Sequence, residues 1–233
     1  MNRETLKKEL QKIGIQLTEN QEKQLEKYYE LLIQTNNYTN LTRITEKEAV
    51  YLKHFYDSLT ITKVIDLTQN LSLIDIGTGA GFPGLVLKIV YPNLKVTLLD
   101  SLNKRIDFLN KVIKELNLKD IKTVHSRIED YKEEQFDIVT SRAVAKTNML
   151  LELSCKLPKV NGYFIFLKGN IEEELKESEN AQKLLNIKLI QKEEFLLPIE
   201  NSKRTIIKLQ KTEEINNKYP RNFTQIKQKP GAF

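Results

Sequence analysis

Residues 75–84 read DIGTGAGFPG, with four glycines in the eight positions that follow the Asp75-Ile76 pair. Glycines at this density let a backbone turn tightly after a strand and approach a ligand closely. Two chemistries fit. From Gly79 the segment is G-x-G-x-x-G, the turn that binds the pyrophosphate of a hydride-carrying dinucleotide. From Asp75 it is D-x-G-x-G-x-G, the pattern that suits the methyl donor S-adenosylmethionine. Both expect an acidic residue about 20 positions on to hydrogen-bond ribose hydroxyls, and Asp100 at the end of VTLLD serves either. What separates them lies ahead of the dinucleotide match. Gly77 intervenes between the strand and Gly79, and Asp75 sits at the strand end. A carboxylate there would repel a pyrophosphate but suits the cationic α-amino group of S-adenosylmethionine. Pro83 is well placed for the first turn of a following helix.

The elements around this turn agree with methyl transfer. Thr18-Glu19-Asn20-Gln21 reads as a capping box, opening a helix with an apolar face of Leu25, Tyr28, Tyr29, Leu32 and Ile33 that Asn36-Asn37 ends. Thr45-Glu46-Lys47-Glu48 reads as a second capping box, starting a helix through Val50, His54 and Phe55. With a first helix near residues 3–12, the opening 65 or so residues read as wholly helical. From residue 71 the rhythm becomes strand, turn, helix. Strands are expected at 71–76, 95–99, 121–125, 136–140 and 162–167, with helices over 83–91, 104–117 and through Met149, Leu150 and Leu153. Such alternation predicts a parallel sheet covered on both faces. Two further runs, 188–196 and 204–209, are too close in sequence for a parallel crossover and must pair antiparallel. The expected fold is therefore α/β and Rossmann-like, of the class I S-adenosylmethionine-dependent methyltransferase kind. It has a mostly parallel seven-stranded sheet ending in an antiparallel hairpin. Its parts are an N-terminal helical extension (1–66), a cofactor-binding domain (67–212) and a basic, loop-like C-terminal tail (213–233).

Charge is unevenly placed. Residues 201–233 hold eight Lys/Arg and two Glu, which is the whole net charge of +6, so residues 1–200 carry 29 charges of each sign. A basic terminus on a neutral body suits a polyanion such as nucleic acid, or simply a solubilising tail. No apolar run approaches a membrane span, and no hydrophobic segment follows the charges of MNRETLKKEL, so a cytoplasmic protein is expected. One cysteine, Cys155, excludes an internal disulfide or a cysteine-rich zinc site, and with His54 and His125 as the two histidines no metal centre is expected.

The sulfonium of the donor is already activated, so the acceptor decides which side chains are needed. Cytosine C5 methylation requires a nucleophilic cysteine, but Cys155 lies in the apolar run LLELSCKL and reads as a core thiol. Adenine amino methylation usually goes with an N/D-P-P-Y/F loop after strand four, where this chain has Thr140-Ser141-Arg142-Ala143. A hydroxyl acceptor wants a general base, and the loops after strands four and five hold no His, Asp or Glu. Guanine N7 attacks through an in-plane lone pair without losing a proton, so it needs alignment and exclusion of water rather than a base.

Several stretches together carry a resemblance: Asn40-Leu41-Thr42, HFYDSL (54–59), DIGTGAGFPG (75–84), LLDSLNKRIDFL (98–109), HSRIED (125–130), SRAVA (141–145), GYFIFLKG (162–169) and YPR (219–221). In this order they resemble the RsmG (GidB) family of bacterial small-subunit ribosomal RNA guanine-N7 methyltransferases. The resemblance implies methylation of one 16S rRNA guanosine, around position 527 in the usual RNA numbering, with S-adenosyl-L-methionine as cofactor and no obligatory catalytic base. It implies a cofactor pocket in which Gly77 and Phe82 border the methionine and ribose portions. Asp100 and Ser101 mark the ribose edge, Ile128 and Glu129 flank the adenine, and Arg142 reaches the methionine carboxylate. Asp75 and Gly79 complete the expected cofactor set. For RNA the expected basic rim is Arg43, His54, Lys168, Arg221, Lys227 and Lys229, with Phe82 or Tyr163 against the target base. Lys104 and Arg105 open a helix, where cations are unfavourable, which points to a phosphate or a carboxylate partner. The expected partner is 16S rRNA or a small-subunit precursor, with the protein a monomer. After YPR the chain departs from the family and reads NFTQIKQKPGAF. Other readings are methylation of another RNA base, a protein or a small molecule, or a ribosome-associated RNA-binding module that keeps the cofactor for structure alone.

Overall fold

A computed structural model describes residues 1–231; the last two residues of the expected tail lie outside the described residues. Its seven strands are β1 (Ser72–Ile76), β2 (Lys95–Asp100), β3 (Ile121–His125), β4 (Phe136–Arg142), β5 (Pro158–Lys168), β6 (Ile187–Leu196) and β7 (Lys203–Lys211). They form one sheet in the order β3-β2-β1-β4-β5-β7-β6. The first five are parallel, and β7 runs antiparallel to both β5 and β6. This is the expected mostly parallel sheet closed by a hairpin. The centre of the sheet is covered on both faces, so β1 and β4 are buried along almost their whole length, whereas edge strand β6 alternates buried or half-buried with exposed positions. Lys188, Lys192, Glu193 and Glu194 on that edge discourage pairing with another chain.

The helices are α1 (Arg3–Lys12), α2 (Glu19–Thr39), α3 (Lys47–Val50), α4 (Asp57–Leu59), α5 (Gly84–Val90), α6 (Asn103–Glu115), α7 (Thr147–Ser154), α8 (Glu172–Glu177), α9 (Glu179–Leu184) and α10 (Phe223–Gln228). One apolar cluster unites α1, α2 and the residue 50–64 segment with α5, α6 and one face of the sheet. A second cluster, which includes Cys155, joins α7, α9 and the tail residues Ile215 and Tyr219 to the other face. Cys155 is fully buried, and burial pushes its thiol up to about 12, as befits a core residue rather than a nucleophile.

Residues 1–66 thus share a core with the sheet, and several of their contacts reach the glycine turn. The Thr18 capping box forms as expected. Its Gln21 also donates from Nε2 to the carbonyls of Ile89 and Val90, fastening the start of α2 to the end of α5. Tyr28 is fully buried among Phe55, Phe82 and Phe108, and its hydroxyl donates to the Ala80 carbonyl inside the turn.

Four local expectations are corrected. Asn36-Asn37 does not end α2, which runs to Thr39 and closes on Asn40 in the left-handed conformation (φ 50°). Asn36 instead accepts the backbone N–H groups of Leu41 (2.7 Å) and Thr42 (2.9 Å), shaping the turn beyond the helix. The second capping box does not form: Glu46 is the N-cap and makes no side-chain cap bond. Residues 45–48 are exposed, so water satisfies the first N–H groups there. The helix passes into a π-helical stretch, Tyr51–Tyr56, whose wider turn buries four hydrophobic rings and chains and also His54. Pro83 is the N-cap of α5 rather than a first-turn residue, and the Phe82–Pro83 peptide is cis. The tail is not wholly loop-like, since it contains α10. Asn222 caps that helix by accepting from Gln225 N, and Ile226 is buried beneath it. Six residues are too few for an apolar periodicity to announce a helix.

Candidate active site

At the C-terminal ends of β1, β2 and β4 the connecting loops enclose a cavity of about 520 Å³, in the position where open parallel sheets bind ligands. Its floor is the turn after β1. Thr78 N–H donates to Leu99 O on the neighbouring strand, and the Gly81 and Phe82 N–H groups fold back onto Thr78 O. Gly77 has φ +65°, and a Cβ there would lie 2.6 Å from Val144 Cγ2, so a bare backbone is required between β1 and the loop after β4. At Gly84 the reason is packing: a Cβ would come within 2.7 Å of Asp75 Cβ.

Asp75 is not in the cavity wall. It is fully buried below the turn, where Oδ2 accepts the Thr78 hydroxyl (2.6 Å) and Gly84 N–H (2.8 Å) while Oδ1 has no partner among the described residues. Burial raises its carboxyl to about 7; the Thr78 and Gly84 hydrogen bonds and the charge of Arg142 oppose that rise. It therefore shapes the loop rather than presenting a carboxylate to a ligand.

One end of the cavity is acidic and polar. Gly77, Gly79, Asp100, Ser101, Ile128 and Glu129 all line it, as does Phe82. Asp100 Oδ2 accepts Gly79 N–H (2.9 Å) and Oδ1 accepts Leu102 N–H (3.0 Å), so this carboxylate ties the first glycine turn to the second loop. Arg105, at the start of α6, pairs with Asp100 at 3.1 Å; of the two partners expected for that cation, the fold supplies the carboxylate. Arg127 bonds Glu129 (3.0 Å) and lays its guanidinium 4.5 Å from the ring centre of Phe223, whose side chain also lines the cavity.

The opposite wall belongs to the N-terminal segment: Leu41, Thr42 and His54, with Phe82 between them and the glycines. The His54 imidazole stacks on Phe82, centroids 4.3 Å apart and planes 19° from parallel. Arg142 reaches this wall from β4 and lines the cavity, with its guanidinium already engaged. Nη1 donates to Asp57 Oδ2 (3.0 Å) and Lys53 O (2.7 Å), and Nη2 lies 2.9 Å from His54 Nδ1. The carboxylate that Arg142 meets is thus the chain's own Asp57, which Arg204 of β7 also binds at 3.2 Å. Burial, then the Arg142 charge, lower His54 to about 3, so the imidazole is neutral.

The expected RNA rim divides. Arg43, Lys227 and Lys229 are exposed, and His54 is buried in the cavity wall. Lys168 is turned inward, donating to Glu174 (2.6 Å) and Ala145 O (2.7 Å), so it braces the loop after β4 instead of facing solvent. Arg221 forks onto fully buried Glu152 of α7, with two contacts of 2.7 Å, and pins the tail that carries Phe223. Tyr163 lies away from the cavity, with Lys208 Nζ 4.3 Å from its ring centre. Asp57, Thr42, Arg127 and Phe223 were not foreseen as site residues. Asp57 sits within HFYDSL, but its partners are 85 and 147 positions away in the chain, and no local pattern shows such pairs.

The residues at the acidic end fit the nucleoside of S-adenosylmethionine: two carboxylates and a serine for hydroxyls, Ile128 for a flat apolar ring, and a cavity within the usual size for such ligands. Among solved structures, the fold is similar to an S-adenosylmethionine-dependent methyltransferase from Aquifex aeolicus, with a TM-score of 0.56 and 17% identity over 74% of this chain and 97% of that one. It is also similar to M. jannaschii TYW2 in complex with AdoMet, at TM-score 0.56 and 15% identity over 72% of this chain and 79% of that one. In sequence, the chain is 48% identical over 218 residues to the ribosomal RNA small subunit methyltransferase G of Lachnoclostridium phytofermentans, covering 91% of this chain and 90% of the relative. It is 45% identical over 238 residues to the protein of the same name from Lactobacillus helveticus, covering 99% of each. The GidB family model, described as rRNA small subunit methyltransferase G, matches residues 21–207. With that match spanning most of the chain and those relatives aligned over nearly all of it, the chain belongs to the rRNA small subunit methyltransferase G family.

Proposed function

We propose that the protein methylates guanine N7 in 16S rRNA, in line and without a general base, using S-adenosyl-L-methionine. When bound, that cofactor supplies a methyl group on a positively charged sulfur. The carrying observation is the wall formed by Phe82 and His54. Its one imidazole is neutral and has both ring nitrogens committed, Nδ1 facing Arg142 and Nε2 facing Thr42, so it aligns a ring without offering a free base. An acceptor that must lose a proton is poorly served by such a wall, whereas guanine N7 needs orientation and a dry site.

The roles follow from position. Gly77 and Gly79 let the backbone approach the donor. Asp100 and Ser101 hold its ribose, and Ile128 and Glu129 flank its adenine. Arg142 fixes the wall opposite through Asp57 and His54, and Asp75 holds the turn from below. Arg43, Lys227 and Lys229 lie exposed as phosphate contacts for the RNA, and Phe82 faces the target base. Residues 1–66 act as the substrate-side wall, 67–212 as the donor-binding domain, and 213–233 as a basic clamp that closes the adenine end through Phe223. No helix among the described residues is long and apolar enough to cross a membrane. A monomer acting in the cytoplasm on a small-subunit particle completes the proposal.

Transfer of tritium from labelled S-adenosylmethionine tests it. Label should enter 16S rRNA and map to one guanine as 7-methylguanine. Label confined to protein or small molecules would overturn the RNA assignment, and label on adenine or cytosine would overturn the N7 assignment.

A further inference from the structure

The extension's side of the cavity carries one hydroxyl that its neighbours leave as a donor only. Arg142 Nη2 lies 2.9 Å from His54 Nδ1, and a guanidinium has no lone pair to offer, so Nδ1 must present its own. Nδ1 also lies 3.1 Å from the Lys53 carbonyl, but that oxygen already accepts Arg142 Nη1 at 2.7 Å and needs no proton from the ring. A neutral imidazole has one N–H, which then sits on Nε2 and donates to Thr42 Oγ1 at 3.0 Å. Ile44 N–H donates to the same oxygen at 3.1 Å. A hydroxyl has two acceptor sites and one proton; both acceptor sites are filled, and its proton meets no acceptor among the described residues. Thr42 is half-buried and lines the cavity beside His54 and Phe82, and its backbone N–H is held by Asn36.

We infer that Thr42 selects guanine over adenine by donating its hydroxyl to O6 of the target base. This inference rests on the proposed guanine-N7 reading and deepens it. Attack through N7 presents the Hoogsteen edge of the purine. Beside N7, guanine shows the O6 acceptor and adenine the N6 amino donor. A threonine hydroxyl ordinarily serves either, because it rotates to donate or accept. Here the relay from Arg142 through His54 removes the accepting option. Adenine would set a donor against a donor, both desolvated, and a site built to satisfy one polar group rejects the base that lacks it. Thr42 is a specificity residue, and Arg142 and His54 act through it by fixing the direction of its proton.

The test removes the two partners separately and together. The RNA substrate carries either guanine or 2-aminopurine at the target position; 2-aminopurine keeps N7 and the 2-amino group and lacks O6. Wild-type protein should lose about 10- to 100-fold in kcat/KM on 2-aminopurine, the range of one well-placed polar contact to a base. Thr42→Val should lose a similar factor on guanine and then show nearly equal rates on the two substrates. Thr42→Ser, which retains the hydroxyl, should restore the discrimination, and an adenine substrate should gain on guanine in the valine variant. Thr42→Ala serves as a second hydroxyl-free variant where valine disturbs folding, as judged by circular dichroism. Independent, multiplying effects of the variant and of O6 removal would overturn the inference. A wild-type protein that leaves guanine unmethylated would instead overturn the proposed function itself.

Discussion

Replacing Asp75 with asparagine should reverse a pH-dependent loss of stability that the native carboxyl imposes between about pH 4 and pH 7. The carboxyl titrates near 7 in the fold against an ordinary 3.8, because burial outweighs its bonds from Thr78 and Gly84 and the attraction of Arg142. Across that window the native state holds a proton that the unfolded chain has released, so stability falls as pH rises. About three pH units at roughly 1.4 kcal/mol each make the full loss on the order of 4 kcal/mol, complete above pH 7. An asparagine amide oxygen can accept both the Thr78 hydroxyl and Gly84 N–H, and its NH₂ takes the place of the unpartnered Oδ1 without acquiring charge. His54 acts in the opposite direction: lowered to about 3, it costs stability as pH falls below about 6.5, equally in both proteins, so it cancels in the difference. Urea unfolding followed by far-ultraviolet circular dichroism at pH 4.5 to 8.5 gives the two stability curves. The variant should gain on the wild type as pH rises to about 7 and then hold a constant lead. Parallel curves, or a gap closing as pH rises, would mean that Asp75 is ionised inside the fold and that its neighbours outweigh its burial.

Two substitutions examine the cavity from other sides. Gly77→Ala sets a methyl group 2.6 Å from Val144 Cγ2 at a φ of +65°, so it should cost about 1–3 kcal/mol of stability and shrink the thermal shift produced by S-adenosylmethionine. Glu152→Gln removes the charge of the fully buried carboxylate that the Arg221 guanidinium grips, at a cost of about 3 kcal/mol; limited proteolysis should then cut within residues 213–231 while the sheet stays intact.

Much of the architecture was legible along the chain because its causes are local. The β1 turn declares itself through Asp75, Gly77 and Gly79, and Asp100 falls at the spacing a second strand end requires. The 188–196 and 204–209 runs are antiparallel by connection length alone. Boundaries slipped where a tertiary contact overrode a local signal: α2 runs past Asn36 because that side chain is taken by the next turn, and α10 exists because Ile226 has a core to enter. The π-helical stretch is of the same kind, since only the packing of Tyr51, Phe55 and Phe82 rewards the wider turn that buries His54.

Local order in the sequence determined the sheet, its direction, the glycine turn after β1 and the family, since periodicity, turn chemistry and motif spacing all act within a few tens of residues. Which polar groups line the cavity and which are taken up by one another was decided only by the tertiary structure. Asp75 and Arg142 both read as pocket residues along the chain, and Arg142 does line the cavity. In the fold the first is sealed beneath the turn, and the second is held by Asp57 and His54 across more than 80 residues of chain. A buried charge must find a counter-charge or lose its own, and the sequence does not show which distant segment will supply one.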